Sequence, residues 1–320
     1  MSWDIIIPFL RPIEPLIRDR EISDIMVNGS SGVFIEKHGR MHSVPGVAIN
    51  EKSLQVALRN IARALGDEIN EEKPLLDSRL PDGSRVAAVF PPCAVGGTVL
   101  TIRKFHSQLY TAEELVRIGS VAPEALAALR QAVEARKNVL ISGGTGTGKT
   151  TLLNALAAFI PDEERLVIIE DTSEIQIAKS NLVRLEARRE QPGLPAVTIR
   201  DLLRTTLRLR PDRILLGEVR GGEAFDLLQA LNTGHAGSLS TLHANSAGQA
   251  LARFTTCVLQ SGVELPYRAI RSNIGEALDL LVHIERRQGL RFVTEIFAIK
   301  GYDTALDRYE LEAIYRRERT

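Results

Sequence analysis

The sequence predicts an α/β fold in which a domain built on a mainly parallel sheet follows a smaller α+β domain. A glycine-rich motif at residues 143–150 lies between a short apolar run and a segment with helical periodicity. After it, near-continuous apolar runs alternate with helical segments, which is typical of a buried parallel sheet. The chain has 320 residues, of which 44% are hydrophobic, and this is enough for two ordinary cores.

The N-terminal α+β domain is predicted over residues 1–105. Strand patterns occur at Ile25–Gly29, Gly32–Arg40 and Gly97–Arg103, and a turn signal at Leu80–Val86 leads into a strand through Val89. A helix is predicted over Ser53–Leu65 with Ser53 as its N-cap. The short apolar run Ile5–Leu10 is expected to pack on this domain as a strand or helix. The pattern of strands and helices weakens from His106 to Val121, so residues 106–121 are predicted to be a linker.

Residues 122–320 are predicted to form the second domain, with Pro123 in the first turn of its first helix. The expected strands are Asn138–Ser142, Leu166–Asp171, Asn181–Leu185, Arg213–Glu218, Ser238–Leu242, Leu280–Glu285 and Leu290–Ile299. The expected helices run from Pro123 to Ala135, Thr151 to Ala158, Thr198 to Leu209 and Glu223 to Leu231.

The motif fits the P-loop pattern and predicts a nucleotide-phosphate site. Its backbone N–H groups and the helix N-terminus that follows favour an anion. Lys149 is expected to reach the β- and γ-phosphates, and the Thr150 hydroxyl to ligate Mg²⁺. An Asn-Lys-x-Asp segment, typical of GTPases, does not occur in the sequence, which favours ATP. The predicted nucleotide-binding residues are Gly143, Gly144, Thr145, Gly146, Thr147, Gly148, Lys149, Thr150 and Thr151.

Acidic residues end two of the predicted strands. Glu218 ends one, and Glu170, Asp171 and Glu174 follow another. Ligands of doubly wound sheets bind beyond the carboxyl ends of strands, so these acids are candidates for holding the Mg²⁺ shell or orienting water. Glu218 is the predicted catalytic acid, and Glu174 is predicted to assist, partly through the Mg²⁺ ligand shell.

Two histidines, His235 and His243, bracket the predicted strand at 238–242. Their glycine-rich setting and the nearby acids favour a role in sensing the γ-phosphate over a structural one. The other histidines are expected to be structural.

Composition limits the other functions. The formal net charge is zero, so stable nucleic-acid binding is not expected, since such binding depends on neutralising phosphates. Cys93 and Cys257 do not form a C-x-x-C pair or a Cys/His cluster, and both side chains are predicted to be buried in the protein. This cysteine usage is typical of a reducing compartment. Apolar runs of membrane-spanning length do not occur in the sequence, and membrane contact is expected to be peripheral at most.

Four segments occur in an order that resembles a known family: GGTGTGKTT, IIEDTSEI, RPDRILLGEVRGGEA and GHAGSLSTLHAN. They are similar to the traffic ATPases of type II and type IV secretion, pilus and conjugation machines. The ALNTGH run and the segments SGVELPYRAI and HIERRQGLRFVTEI are most similar to conjugative-transfer ATPases of the TrbB type. The resemblance covers nearly the whole chain and is strongest from Arg136 to Arg287.

This resemblance implies a RecA-like P-loop domain, ATP hydrolysis and a homo-hexameric ring. It implies a cytoplasmic protein that docks on inner-membrane secretion-channel proteins. Arg85 and Arg103 match family arginines that reach the phosphates from the N-terminal domain, and Arg220 is a further candidate of this kind. Pilus-assembly ATPases of the tight-adherence or type II secretion type remain an alternative. A RecA-type nucleic-acid translocase and a nucleotide-gated scaffold remain alternatives from other classes.

Overall fold

The computed structural model describes residues 7–80, 82–105, 109–190 and 194–318. The chain divides into two compact units, residues 1–108 and 109–320. Residues 5 and 6 of the predicted apolar N-terminal run lie outside the described ranges. Ile7–Phe9 form a 3₁₀ turn, and Ile7 and Leu10 are buried in the core of the first unit.

The first unit is an antiparallel sheet with helices. In its described part the strands are β1 (Ile22–Asn28), β2 (Val33–Lys37), β3 (Arg40–Val44), β4 (Leu75–Arg79), β5 (Arg85–Val89) and β6 (Val99–Arg103), and the helices are α1 (Glu14–Arg18) and α2 (Glu51–Ala64). The strand order is β3-β2-β1-β6-β5-β4. Leu54, Leu58 and Ile61 recur at helical spacing on α2 and are buried in the core of this unit.

Helix α2 begins earlier than predicted. Its N-cap is Asn50, whose side chain accepts a hydrogen bond from the backbone N–H of Ser53. The prediction of Ser53 as N-cap is therefore wrong, because Ser53 lies in the first turn and donates the backbone N–H that the Asn50 side chain caps.

The second unit holds the P-loop. It contains helices α3 (Ala112–Arg117), α4 (Pro123–Glu134), α5 (Lys149–Ala157), α6 (Ile199–Thr206), α7 (Glu223–Asn232), α8 (Ala247–Leu259) and α9 (Tyr267–Ala277). Its strands are β7 (Val139–Gly143), β8 (Leu166–Glu170), β9 (Leu182–Glu186), β10 (Arg213–Val219), β11 (Leu239–His243), β12 (Leu280–Arg287), β13 (Leu290–Asp303) and β14 (Arg308–Arg316).

These strands form one sheet in the order β14-β13-β12-β7-β11-β10-β8-β9. Strands β12, β7, β11, β10, β8 and β9 pair in parallel, and β13 and β14 add antiparallel pairs at one edge. Side chains of the central strands are buried on both faces, with one core cluster on each side. The predicted α/β class with a parallel-core sheet is confirmed, because buried parallel strands need continuous apolar runs.

Several local details differ from the sequence analysis. Residues 109–121 lie within the predicted linker, yet they belong to the unit 109–320, where Ala112 and Leu115 of α3 are buried in its core. Thr198 caps α6 as predicted, in a capping box with Asp201. Cys257 is buried, but Cys93 is exposed, so the prediction that both cysteines are buried is wrong for Cys93.

Helices α8 and α9 and strand β14 were not predicted as elements. In the described ranges, each helix is either too short or too polar to cross a lipid bilayer.

The N-cap of α2 can be tested by substitution. Asn50→Ala should lower the free energy of unfolding by about 1 kcal/mol, because one N–H of the first turn loses its acceptor. The matched control is Ser53→Ala, which keeps the backbone N–H and should change stability by less than about 0.5 kcal/mol. Urea unfolding of the full chain, followed by circular dichroism, measures both. A larger loss for Ser53→Ala than for Asn50→Ala would contradict the assignment.

Candidate functional site

The P-loop connects β7 to α5 in a conformation that requires glycine. Gly146 and Gly148 have φ angles of +68° and +94°, which side-chain-bearing residues rarely adopt. A Cβ on Gly143 would lie 2.5 Å from the Ile284 carbonyl oxygen, so the start of the loop also excludes a side chain. Thr147 Oγ1 donates to the Gly144 carbonyl at 3.0 Å and closes the turn. The loop is thus a compact cradle whose backbone lies at the N-terminus of α5.

Lys149 is the buried cation of this cradle. Its Nζ donates to the carbonyl oxygens of Gly143 and Gly144 at 3.1 and 2.9 Å. Burial lowers the pKa of Lys149, and Arg220 lowers it further, whereas the charges of Glu218 and Glu174 raise it. Since both carboxylates act on this ammonium, Glu218 and Glu174 lie within electrostatic range of the P-loop lysine.

Glu218, near the end of β10, connects the P-loop lysine to two further side chains. Glu218 Oε1 lies 2.7 Å from His243 Nε2, and His243 Nε2 lies 3.5 Å from Lys149 Nζ. Glu218 Oε2 pairs with Arg220 at 2.8 Å, and Arg220 also pairs with Asp171 at 2.8 Å. These contacts form a continuous polar chain of Lys149, His243, Glu218, Arg220 and Asp171, in which Arg220 makes the ion pairs.

One oxygen of Glu218 retains a free acceptor position. Among the residues that the structure describes, no correctly aligned hydrogen-bond donor reaches the buried Oε1, although His243 contacts it at ion-pair distance. A buried carboxylate oxygen without an aligned donor is costly unless water or a cation occupies its lone pair. Glu218 is therefore equipped to hold a water molecule or a cation.

Burial and neighbouring cations set the charge of His243. Its pKa is lowered chiefly by burial and then by Lys149, with Arg220 and Arg253 adding to the effect, whereas Glu218 opposes them. The neutral imidazole is therefore favoured, and it can act as a hydrogen-bond partner to a phosphate oxygen or to Glu218.

Strand order brings these residues together. In the sheet β11 lies between β7 and β10, and all three run parallel. His243 is the register partner of Gly143, and Leu242 is the partner of Val219. Because the carboxyl ends of parallel strands meet at one edge, the P-loop, His243 and Glu218 occupy that edge together.

Glycine at position 217 also has a steric cause. A Cβ there would lie 2.9 Å from Cγ of Glu170 on the neighbouring strand β8. The pairing of β10 with β11 shifts between Leu216 and Val219, and Thr241 Oγ1 donates to the Gly217 carbonyl at 2.6 Å. Glu218, the next residue, is the acidic residue of β10.

Glu170 is buried and holds the loop that carries Glu174. Its Oε1 accepts the backbone N–H groups of Glu174 and Ile175 at 2.8 and 2.9 Å. Asn154 of α5 accepts the next N–H, that of Gln176, at 3.0 Å. Burial raises the pKa of Glu170 from 4.5 to about 7, despite these hydrogen bonds. Glu170 therefore positions the acidic loop, and the side chain of Glu174 is exposed.

Within the second unit, His235 does not join this edge. His235 precedes β11, so it lies at the opposite end of that strand from His243, and its Nδ1 contacts the Ala230 carbonyl at 3.2 Å. Arg85 and Arg103 are register partners on β5 and β6 of the first unit, where Arg103 pairs with Asp24 at 3.0 Å. Thr150 and Thr151 lie in the first turn of α5 and are half-buried.

Sequence reasoning missed two contributions from β12 and β13. His283 is buried beside the P-loop strand, where its Nδ1 lies 2.9 Å from Ser142 Oγ, and burial lowers its pKa. Arg291 Nε donates to the Gly146 carbonyl at 2.8 Å. The segment HIERRQGLR contains both residues, but a local pattern does not reveal that β12 pairs with β7.

Comparison with known proteins decides the family. A family model described as "Type II/IV secretion system protein" matches residues 10–289. The chain belongs to this family. The resemblance inferred from the four motif segments is thereby confirmed, and so is the fold.

Relatives within the type II/IV secretion family are similar over most of their length. The conjugal transfer protein TrbB of Rhizobium radiobacter is 40% identical over 289 residues, covering 89% of this chain and 85% of that protein. The type IV secretion system protein PtlH of Bordetella pertussis is 37% identical over 305 residues, covering 88% and 90%.

Two solved structures share the architecture. The VirB11 ATPase of the Brucella suis type IV secretion system, crystallised with sulphate, is 32% identical, with a TM-score of 0.50 over 92% of this chain and 94% of that one. The Legionella pneumophila ATPase DotB has a TM-score of 0.62 over 91% and 80% of the chains. At 19% identity, the likeness to DotB supports the fold alone.

Glu170 makes the stability of this family member depend on pH. Because folding raises its pKa from 4.5 to about 7, its stabilising contribution is complete below pH 4.5 and is lost as pH rises through 7. Relative to Glu170→Gln, the wild type should lose about 2–3 kcal/mol of unfolding free energy between pH 5 and pH 8. Urea unfolding at the two pH values measures this difference.

The control for this experiment is Glu163→Gln, which removes an exposed carboxyl from a turn of the same unit. Its difference from the wild type should be nearly the same at pH 5 and pH 8, because exposed carboxyls interact weakly. Equal pH slopes for the wild type and Glu170→Gln would contradict the assignment.

Proposed function

We propose that this protein is an ATP-hydrolysing ring motor that energises a type IV secretion or conjugative DNA-transfer apparatus, or its pilus. One observation carries the proposal: the P-loop lysine, Lys149, is linked through His243 to the carboxylate of Glu218 at one edge of a parallel sheet. Membership of the type II/IV secretion family and the names of TrbB and PtlH support the assignment to conjugation and type IV secretion.

ATP fits the P-loop because the loop offers backbone amide groups, a helix N-terminus and the buried ammonium of Lys149. At Gly143, the start of the loop, the backbone leaves no room for a side chain. In the structure Lys149 Nζ binds two loop carbonyls, which are weaker partners than a phosphate anion. Binding of the substrate exchanges these carbonyls for the β- and γ-phosphate oxygens.

Mg²⁺ is the implied metal, and the donor set suits it. Thr150 supplies a hydroxyl at the start of α5, and Glu174 supplies a carboxylate within electrostatic range of Lys149, partly through water. Hard oxygen donors of this kind, completed by water, are the ligands that Mg²⁺ prefers. When bound, Mg²⁺ neutralises charge on the phosphate oxygens.

Glu218 is the proposed catalytic acid–base residue. It orients water, or takes its proton, for attack on the γ-phosphate, and the products are ADP and phosphate. His243 lies between Glu218 and Lys149, so its hydrogen bonding changes when a γ-phosphate enters or leaves. Arg220 holds Glu218 through an exposed guanidinium that is also suited to a phosphate.

The ring is proposed to be a homo-hexamer in which each subunit has an N-terminal domain followed by a P-loop motor domain. Arg85 and Arg103 would carry the state of the nucleotide to the N-terminal domain, and His235 would report it at a subunit boundary. Loss of contacts made only with the γ-phosphate biases such a switch. The protein would act in the cytoplasm, peripherally at the inner membrane, against channel proteins.

Lys149→Ala tests the nucleotide site. ATP turnover should fall by at least about a hundredfold, because the ammonium that offsets phosphate charge is removed. The matched control is Lys137→Ala, which removes an exposed lysine paired with Asp279 in the same unit and should keep turnover within about twofold. Phosphate release at saturating MgATP is the measurement. Wild-type turnover in Lys149→Ala would refute the site.

Glu218→Gln separates binding from chemistry. Turnover should fall by about a hundredfold or more, while affinity for MgATP stays within about threefold, because the amide cannot accept a proton. Phosphate release and binding of a fluorescent ATP analogue are measured on the same preparation.

Glu174→Gln is the paired variant in this experiment. Normal turnover in Glu218→Gln together with lost turnover in Glu174→Gln would move the base role to Glu174. A wild type that binds MgATP tightly but releases no phosphate would instead indicate a nucleotide-gated scaffold.

A further inference from the structure

The β12–β13 hairpin extends beyond the P-loop strand. Ile284 of β12 is the register partner of Gly143, the last residue of β7, and β12 continues to Arg287. The hairpin then turns through Gln288 and Gly289, whose φ angles are +52° and +85°. Positive φ at both turn residues is typical of a tight two-residue hairpin. The tip of this hairpin therefore lies past the carboxyl end of β7, where the P-loop begins.

Two arginines of this tip contact the P-loop. Arg291 Nε donates to the Gly146 carbonyl at 2.8 Å, and Arg291 Cδ lies 3.3 Å from the point that a Cβ on Gly148 would occupy. Arg286 Nη1 lies 3.4 Å from the corresponding point on Gly146. Both guanidiniums therefore lie beside Gly146, and the aliphatic part of Arg291 lies beside Gly148.

Arg286 and Arg291 are also direct cross-strand partners. Like charges placed opposite each other on neighbouring strands destabilise a sheet. The neighbouring arginine of the hairpin, Arg287, pairs with Glu285 at 2.6 Å. An anion in the adjacent loop would be attracted by both Arg286 and Arg291.

We infer that Arg291, with Arg286 opposite it, is a positioning element of the nucleotide site that strengthens binding of the diphosphate portion common to ATP and ADP. Arg291 holds the Gly146 carbonyl, so the following amides of the loop keep the orientation that an anion needs. The two guanidinium charges add attraction from outside the loop. This inference rests on the proposed nucleotide-binding function.

Arg286 and Arg291 lie apart from the other site residues, so their effect on nucleotide affinity can be measured separately. Lys149, His243 and Glu218 lie in the polar chain, which continues across β11 and β10. The arginine pair lies on β12 and β13, on the other side of β7 in the sheet order. Loss of Arg291 should therefore weaken ADP and ATP by the same factor.

The test uses Arg291→Gln and, as a matched control, Arg287→Gln on the same hairpin. Isothermal titration of the full-length protein with MgADP, and with a slowly hydrolysed MgATP analogue, should give Kd values about tenfold higher for Arg291→Gln with both ligands. Arg287→Gln should stay within about twofold, because its guanidinium pairs with Glu285.

Two further readouts distinguish positioning from a loss of folding. The dependence of log Kd on log salt should be shallower in Arg291→Gln, because one cation near the phosphates is gone. Arg291→Lys, which keeps the charge and can still reach a carbonyl, should restore the salt dependence. The ratio of Kd values for ADP and the ATP analogue should not change in either variant.

The possible results distinguish an error in the proposed nucleotide site from an error in the proposed role of Arg286 and Arg291. A wild type that binds neither ligand would overturn the proposed nucleotide site itself. Wild-type binding together with an unchanged Kd in Arg291→Gln would overturn only the role of the arginine pair. Equal weakening in Arg287→Gln and Arg291→Gln would overturn it too, because general hairpin charge would then explain the result.

Discussion

The parallel register of β7, β11 and β10 is the constraint on which the candidate site depends. These strands end at one edge of the sheet, and their register sets His243 beside Gly143 and Leu242 beside Val219. A slip of one residue would turn each side chain to the opposite face of its strand. The buried apolar residues of the three strands set this register, and the register brings Lys149, His243 and Glu218 together.

Charge at this edge is balanced by the protein itself. The carbonyl oxygens of Gly143 and Gly144 accept hydrogen bonds from the ammonium of Lys149, and Arg220 pairs with both Glu218 and Asp171. Under the proposed function, an incoming triphosphate would replace these partners. Such an exchange makes Arg220 and His243 sensitive to the ligand, because each is held by groups that the phosphate or its metal ion also attracts.

Burial sets the protonation of the groups around this edge. It lowers the pKa of Lys149, His243 and His283 and raises that of Glu170. Each shift has the sign expected when water is removed from a charged group. The buried carboxyl of Glu170 also has a structural role, because it accepts two backbone N–H groups of the loop that contains Glu174.

By itself, the sequence determined the P-loop, the flanking strand and helix, the acid at Glu218 and the parallel-core class. Each of these depends on residue types at short spacing, which local geometry converts directly into structure. The tertiary structure decided that Asn50 caps α2, that Glu170 supports the acidic loop and that Arg220 bridges two acids. It also decided that His243 joins Lys149 while His235 stays at the other end of β11, and that Arg291 contacts Gly146. Most of these contacts join residues far apart in the chain, so they follow from strand order and register, which short-range patterns do not contain.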